Sequence, residues 1–222
     1  MKSPTAQAVG GLLSLFAISA ALLFLPAWTL HYWQAWTYLA VLMMSISAIV
    51  IYLIRNDPAL LARRSDNTEP ELSQKVIHFL INFVFLAASV VSALDHRFGW
   101  SAVPTYAVIA GDALVALGML IIFFVFRENT FTASTIQVAA DHKVVSTGLY
   151  ALVRHPMYVG GLIFIFGIPL ALGSWWAMLT FIPLTLLIVW RILDEERFLV
   201  KNLEGYDKYR SAVKYRLIPF LW

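Results

Sequence analysis

Residues 154–196 read RHPMYVGGLIFIFGIPLALGSWWAMLTFIPLTLLIVWRILDEE. The apolar part of this run is too long for one crossing of a hydrocarbon layer, which takes about 20 residues. Gly173 and Ser174 are turn formers inside it, so the run divides into spans over 157–173 and 175–191 folded back as a tight antiparallel hairpin. That fold returns Arg154 and His155, which precede the hairpin, to the level of Arg191, Asp194, Glu195 and Glu196, which end it. Arg, His and carboxylates are costly at the edge of a hydrocarbon layer, and by default their presence there marks a site.

Working outward, the whole chain has the composition of a membrane protein. Of its 222 residues, 60% are hydrophobic and 13% charged, against roughly half and a quarter in soluble domains. Cysteine is absent, which removes disulfides, thiolate metal sites, Fe–S clusters and a Cys nucleophile. No metal site is expected. No Lys/Arg run resembles a nucleic-acid arm. Four more apolar stretches, at about 9–27, 35–54, 76–94 and 104–126, bring the expected spans to six. Each is long enough to cross as a helix at 1.5 Å per residue, and no β-alternation competes. The first continues from Val9 to about Pro26, longer than a signal-peptide core of about 7–15 residues, and reads as a retained span.

Charge sets the expected orientation. With the N-terminus inside, the cytoplasmic face holds Lys2, Arg55, Arg63, Arg64, Lys75, Arg127, Lys143, Arg154 and seven more Lys/Arg from Arg191 onward, while the other face holds Arg97 alone. That asymmetry obeys the positive-inside rule, and Trp28, Trp33, Trp36, Trp100, Trp175 and Trp176 on the sparsely charged face read as an interfacial belt. The polar segments 127–156 and 192–222 then share the cytoplasmic side, together with both termini. The chain divides into an N-terminal four-helix membrane region, 1–126, and a region of loop, hairpin and tail, 127–222. The mixed-charge segment 55–75 reads as a connector with a short interfacial helix.

Three segments carry possible chemistry, each with two readings. In the first, Ser146, Thr147 and Gly148 are turn formers and Pro156 suits the first turn of a helix. His155 and Tyr158 then flank a helix N-terminus, which favours an anionic or polar ligand group; alternatively Arg154 meets lipid headgroups and Tyr158 anchors at the interface. In the second, Arg191 and Glu195 are four apart and share a helix face, as a functional pair or as a surface pair worth a few tenths of a kcal/mol. In the third, the tail from Leu203 to Trp222 alternates basic and aromatic residues, either lying on lipid phosphates or closing over a cytoplasmic pocket. Asp112, inside the fourth span, is expected to make a helix–helix hydrogen bond, and Gly111 and Gly118 to be close-packing positions. Rossmann, Walker and zinc-protease motifs are absent.

Taken in order, Gln137, His142 to Val145, Gly148-Leu-Tyr150, Arg154-His155-Pro156-x-Tyr158-x-Gly160, Arg191-x-x-x-Glu195-Glu196 and Gly205-Tyr206-x-x-Tyr209-x-x-x-Val213-x-x-Arg216-Leu-Ile-Pro219 resemble the isoprenylcysteine carboxyl methyltransferases, within the wider phospholipid methyltransferase-like membrane enzymes. The match covers roughly the C-terminal 90 residues. The resemblance implies an all-α integral membrane protein with a C-terminal helical hairpin and a cytoplasmic, non-Rossmann pocket for S-adenosylmethionine. It implies cofactor contacts at Gln137, His142, Lys143, Val144, Val145, Gly148, Tyr150, His155, Pro156, Met157, Tyr158, Glu195 and Glu196. Arg191, Glu195 and Arg154 are the implied catalytic residues, Arg191 holding a substrate carboxylate. The implied partners are the bilayer and a lipophilic acceptor, prenylcysteine-like or lipid. Three other readings stand beside it: an N-methyltransferase acting on a phospholipid amine, an NADPH-dependent reductase of the sterol-reductase kind, which shares the R-H-P-x-Y element, and a membrane protein without enzymatic activity.

Overall fold

The computed structural model describes residues 4–65, 72–132 and 144–222. Eight α-helices run in order: α1 (Pro4–Ala27), α2 (Trp33–Asn56), α3 (Pro58–Ser65), α4 (Leu72–Phe98), α5 (Thr105–Glu128), α6 (Pro156–Ala171), α7 (Phe181–Asn202) and α8 (Tyr206–Ala212). Short 3₁₀ turns occupy Gly148–Ala151 and Ala177–Thr180. Among the described residues there is no strand. The protein is an all-helical integral membrane protein. Five helical segments are long and apolar enough to cross a bilayer, namely Ala8–Ala27, Trp33–Asn56, Leu72–Phe98, Thr105–Glu128 and Ala177–Asn202. The helix at Pro156–Ala171 is equally apolar but shorter.

Lipid offers no hydrophobic drive for helices to associate, so contact depends on how closely backbones approach. The α5–α6 pair shows this directly. A Cβ added at Gly118 would lie 2.6 Å from the Gly160 carbonyl oxygen, and one at Gly160 would lie 2.8 Å from that of Gly118. One turn pair further along, a Cβ at Gly111 would meet Ala171 N at 2.2 Å, and one at Gly167 would meet the Gly111 oxygen at 2.8 Å. Gly111 and Gly118 are therefore close-packing positions as expected, and Gly160 and Gly167 are their partners. Asp112 lies alongside Thr37 of α2.

Helix boundaries follow local chemistry. Asp57 Oδ1 accepts from Leu60 N at 2.9 Å and Pro58 takes the first helical position, the pairing that starts a helix most readily; the short helix expected in 55–75 is α3. The hairpin turn is longer than Gly173–Ser174. Gly173 is left-handed at φ 71, Ser174 Oγ accepts from Ala177 N at 3.0 Å, and a 3₁₀ turn intervenes before α7, whose first turn tolerates Pro183.

The turns α1–α2, α4–α5 and α6–α7 lie at one end of the bundle with the six tryptophans, all exposed by 45% or more. A buried polar cluster fastens that end. Asp95, 1% exposed, accepts from Ser101 N and Ser101 Oγ at 2.7 Å each and from Ser174 Oγ. Beside it the Tyr32 hydroxyl donates to Leu172 O at 2.6 Å and its ring stacks on His96. The opposite end, where α3, the start of α4, the start of α6 and the C-terminal half of α7 meet, carries the functional candidates.

Candidate functional site

His155 caps α6 and Pro156 occupies its first position, which places Tyr158 on the first turn. Arg191, Glu195 and Glu196, in the C-terminal half of α7, reach this segment through hydrogen bonds to Tyr158, Arg154 and His155. The antiparallel hairpin makes these segments neighbours, and they form two linked networks.

The first centres on Glu196, 5% exposed. Its Oε1 accepts from Arg154 Nε at 2.7 Å and lies 3.2 Å from His155 Nε2, while Oε2 accepts from Arg216 Nε at 2.9 Å. Arg154 Nη1 donates onward to the carbonyls of Val213 and Lys214 at 3.0 Å. Backbone bonds run parallel to the side chains: Arg154 N to Tyr215 O at 2.9 Å and His155 N to Arg216 O at 3.0 Å. The C-terminal tail is thus strapped to the segment before α6. Removing one member of a buried, paired charge set costs about 3–5 kcal/mol, because the remaining charges are left without water or partner.

The second network runs Gln74–Arg191–Tyr158–Glu195. Arg191 Nη1 donates to Gln74 Oε1 at 2.9 Å and its Nε to the Tyr158 hydroxyl at 2.8 Å. The same hydroxyl donates to Glu195 Oε2 at 2.6 Å. Arg191 and Glu195 share a face of α7 as their spacing predicts, and Tyr158 bridges them.

The second network opens on a recess holding about 840 Å³ of empty space, counting its open mouth. His155, Tyr158, Arg191 and Glu195 supply its polar wall; Val144, Val145, Leu199 and Leu203 supply an apolar one; Asn129, Tyr150, Tyr206 and Tyr209 line the rest. Asn129 Nδ2 donates to the Tyr150 hydroxyl at 3.1 Å, and the Tyr209 hydroxyl donates to Tyr150 O at 2.8 Å. Burial pushes the Tyr150 hydroxyl up to about 12 and raises Tyr206 and Tyr209 above the usual tyrosine range as well. All three remain protonated donors at any ordinary pH. The Tyr206 hydroxyl is buried with no hydrogen-bond partner among the described residues. A second, shallower recess between helices, lined by Arg64, His78, Asn82 and Ile188, shares Met157, Tyr158 and Arg191 with the first.

Of the residues singled out in the sequence, Val144, Val145, Tyr150, His155, Pro156, Met157, Tyr158, Arg191 and Glu195 line the main recess. Arg154 and Glu196 stand behind that wall and hold His155 and the tail. Gly148 is elsewhere: it is left-handed at φ 57 and packs on Glu128, where a Cβ would come within 3.0 Å of the carboxyl carbon. Gln137, His142 and Lys143 lie outside the described residues. Sequence reasoning passed over Asn129, Leu199 and Gln74, and met Leu203 only as the start of the tail. Tyr206 and Tyr209 were visible only within the aromatic pattern of the tail.

Residues 106–205 match the family described as phospholipid methyltransferase. Over 141 residues, 61% of this chain and 51% of the relative, the sequence is 33% identical to a protein-S-isoprenylcysteine O-methyltransferase of Schizosaccharomyces pombe. It is also 28% identical over 127 residues, 49% of this chain and 30% of the relative, to a Delta(14)-sterol reductase of Mus musculus. The chain spans about half the length of the first of these relatives and under a third of the second.

Proposed function

We propose that this chain is a membrane methyltransferase that uses S-adenosylmethionine to methylate the carboxylate of a lipophilic acceptor of the prenylcysteine kind. The observation that carries the proposal is the Arg191–Tyr158–Glu195 relay in the wall of the main recess. It presents a guanidinium and a carboxylate side by side, on successive turns of α7, to one cavity.

The residues present suit the donor. Tyr206 offers a buried hydroxyl that finds no partner among the described residues, Val144, Val145, Leu199 and Leu203 offer an apolar surface for a purine, and Glu195 offers a negative charge to a cationic ligand. His155 and the first turn of α6 would sit beside the ligand's polar groups. When bound, the donor supplies an electrophilic methyl group on a sulfonium. An acceptor carboxylate is already a nucleophile, so the protein has to orient it and strip its water rather than deprotonate it. Arg191 would hold it through charge-assisted hydrogen bonds. Tyr158, bonded to both Arg191 and Glu195, keeps the guanidinium and the carboxylate in register and prevents them from collapsing onto each other. The shallower recess between helices gives a lipid acceptor a way to Arg191 separate from the open mouth.

The topology belongs to the same proposal. The site and both termini face the cytoplasm, α6 together with its turn makes a sixth crossing, 1–126 is the scaffold and 127–222 the catalytic region. The positive-inside asymmetry supports this.

The likeness to a sterol reductase favours a second reading, an NADPH-dependent reductase on the same scaffold. Calorimetric titration of the detergent-purified protein separates the two. S-adenosylhomocysteine should bind, NADPH should not, and Tyr158→Phe should weaken the former. Binding of NADPH alone would overturn the methyltransferase reading. Radiolabelled methyl transfer to N-acetyl-S-farnesylcysteine, with phosphatidylethanolamine vesicles as the competing acceptor, then tests the acceptor class.

A further inference from the structure

Gln74 is a residue of the N-terminal half that bonds directly to Arg191. It sits on the first turn of α4 and is wholly buried, a costly place for an amide unless both of its ends are bonded. Both are. Its Oε1 accepts from Arg191 Nη1 at 2.9 Å, and its Nε2 donates to Asp194 Oδ2, which also accepts from Ser73 Oγ at 3.1 Å. Reversing the amide would set an NH₂ against the guanidinium and a carbonyl against the carboxylate, so the network itself dictates the orientation.

The placement has an electrostatic consequence. Asp194 is three residues from Arg191 on α7, a spacing at which Asp and Arg ordinarily meet on a helix surface. Here the Gln74 amide is bonded to both. What meets Arg191 Nη1 is a neutral carbonyl, and Asp194 is held to Gln74 and Ser73 from the other side. A carboxylate at that atom would hold the guanidinium equally well and cancel the positive potential an anionic acceptor needs.

We infer that Gln74 is a positioning residue that fixes the Arg191 guanidinium through a neutral contact, keeps Asp194 engaged elsewhere, and thereby sets the site's preference for an anionic acceptor. The inference rests on the proposed role of Arg191 as holder of the acceptor carboxylate.

The test compares binding of N-acetyl-S-farnesylcysteine with binding of its methyl ester, without donor, to the full-length protein in detergent. Wild type should prefer the acid by about 10-fold, the order of one charge-assisted hydrogen bond. Gln74→Glu should lose that preference while its ester affinity stays within about 2-fold, a difference too small to reflect a lost hydrogen bond. The pair Gln74→Glu with Asp194→Asn restores the hydrogen-bond pattern, because the new amide donates where Gln74 did, but leaves a carboxylate against Arg191. It should recover the thermal midpoint of wild type and not the acid preference. Acid preference retained in Gln74→Glu, or restored in the pair, would show a purely structural role and overturn the inference; so would a wild type indifferent to acid and ester. A wild type that shows the Gln74-dependent preference and transfers no methyl group would instead overturn the proposed reaction and leave this inference standing.

Discussion

The two ends of the helical bundle each bury carboxylates, and they use them in opposite ways. At the tryptophan-rich end Asp95 is surrounded by hydroxyls and one backbone amide, all neutral, and no recess found among the described residues includes it. At the other end Glu196 binds Arg154, Arg216 and His155, while Glu195 faces a cavity through Tyr158. A carboxylate closed off by neutral donors joins helices and has no capacity left for a ligand. One that shares its donor with a guanidinium at a cavity wall remains available. Residue type does not distinguish the two ends; what the side chain faces does.

The sharpest way to break this comparison is Arg191→Ala. A truncated charge–ligand contact costs about 2–5 kcal/mol, so methyl transfer should fall by roughly 30-fold to several thousand-fold, with S-adenosylhomocysteine affinity largely kept. Loss of both together would mean that the site end, like the other, serves folding first. Glu196→Ala should act on stability, lowering it by about 3–5 kcal/mol as Arg154 and Arg216 lose their anion and His155 its hydrogen-bond partner. Thermal unfolding in detergent would register this, and limited proteolysis should show the tail released from the segment before α6. Asp95→Asn should cost less, about 1–2 kcal/mol, since an amide can still accept from Ser101 and a hydroxyl can turn to accept from the amide. Its ligand affinity should match wild type; a weakened affinity would tie the two ends together. The smallest effect belongs to Tyr206→Phe. Its hydroxyl has no partner among the described residues, so stability should not fall, while S-adenosylhomocysteine affinity drops about 5- to 10-fold, the size of one hydrogen bond.

Much of the site was legible because its signals are local. The order Arg154-His155-Pro156-x-Tyr158 carries its own helix start, and Arg191 with Glu195 is a four-residue spacing that any α-helix puts on one face. Gly111 and Gly118 announce close packing in the same manner. Contacts that join distant segments left no such trace. Gln74 meets Arg191 across 117 residues, and nothing about a glutamine near the start of an apolar span distinguishes it from an interfacial one. Asp95, beside His96 and Arg97, has the pattern of a solvated helix end, and only the fold brings Ser101 and Ser174 onto it. Tyr158 as the bridge between Arg191 and Glu195 required the hairpin geometry. The expected turn at Gly173–Ser174 was located correctly and drawn too short, because a serine that caps a 3₁₀ turn looks the same in sequence as one that ends a two-residue loop.

The length of α6 has a further consequence. Its 16 residues make a rod of about 24 Å, against a hydrocarbon layer of about 30 Å. Glycine contacts with α5 fix its level in the bundle, so if α6 is the sixth crossing proposed above, the adjacent lipids must thin to meet it. The membrane's own thickness then becomes a control variable: short-chain lipids should suit the α6–α7 side of the protein, and long-chain or sterol-rich bilayers should strain it.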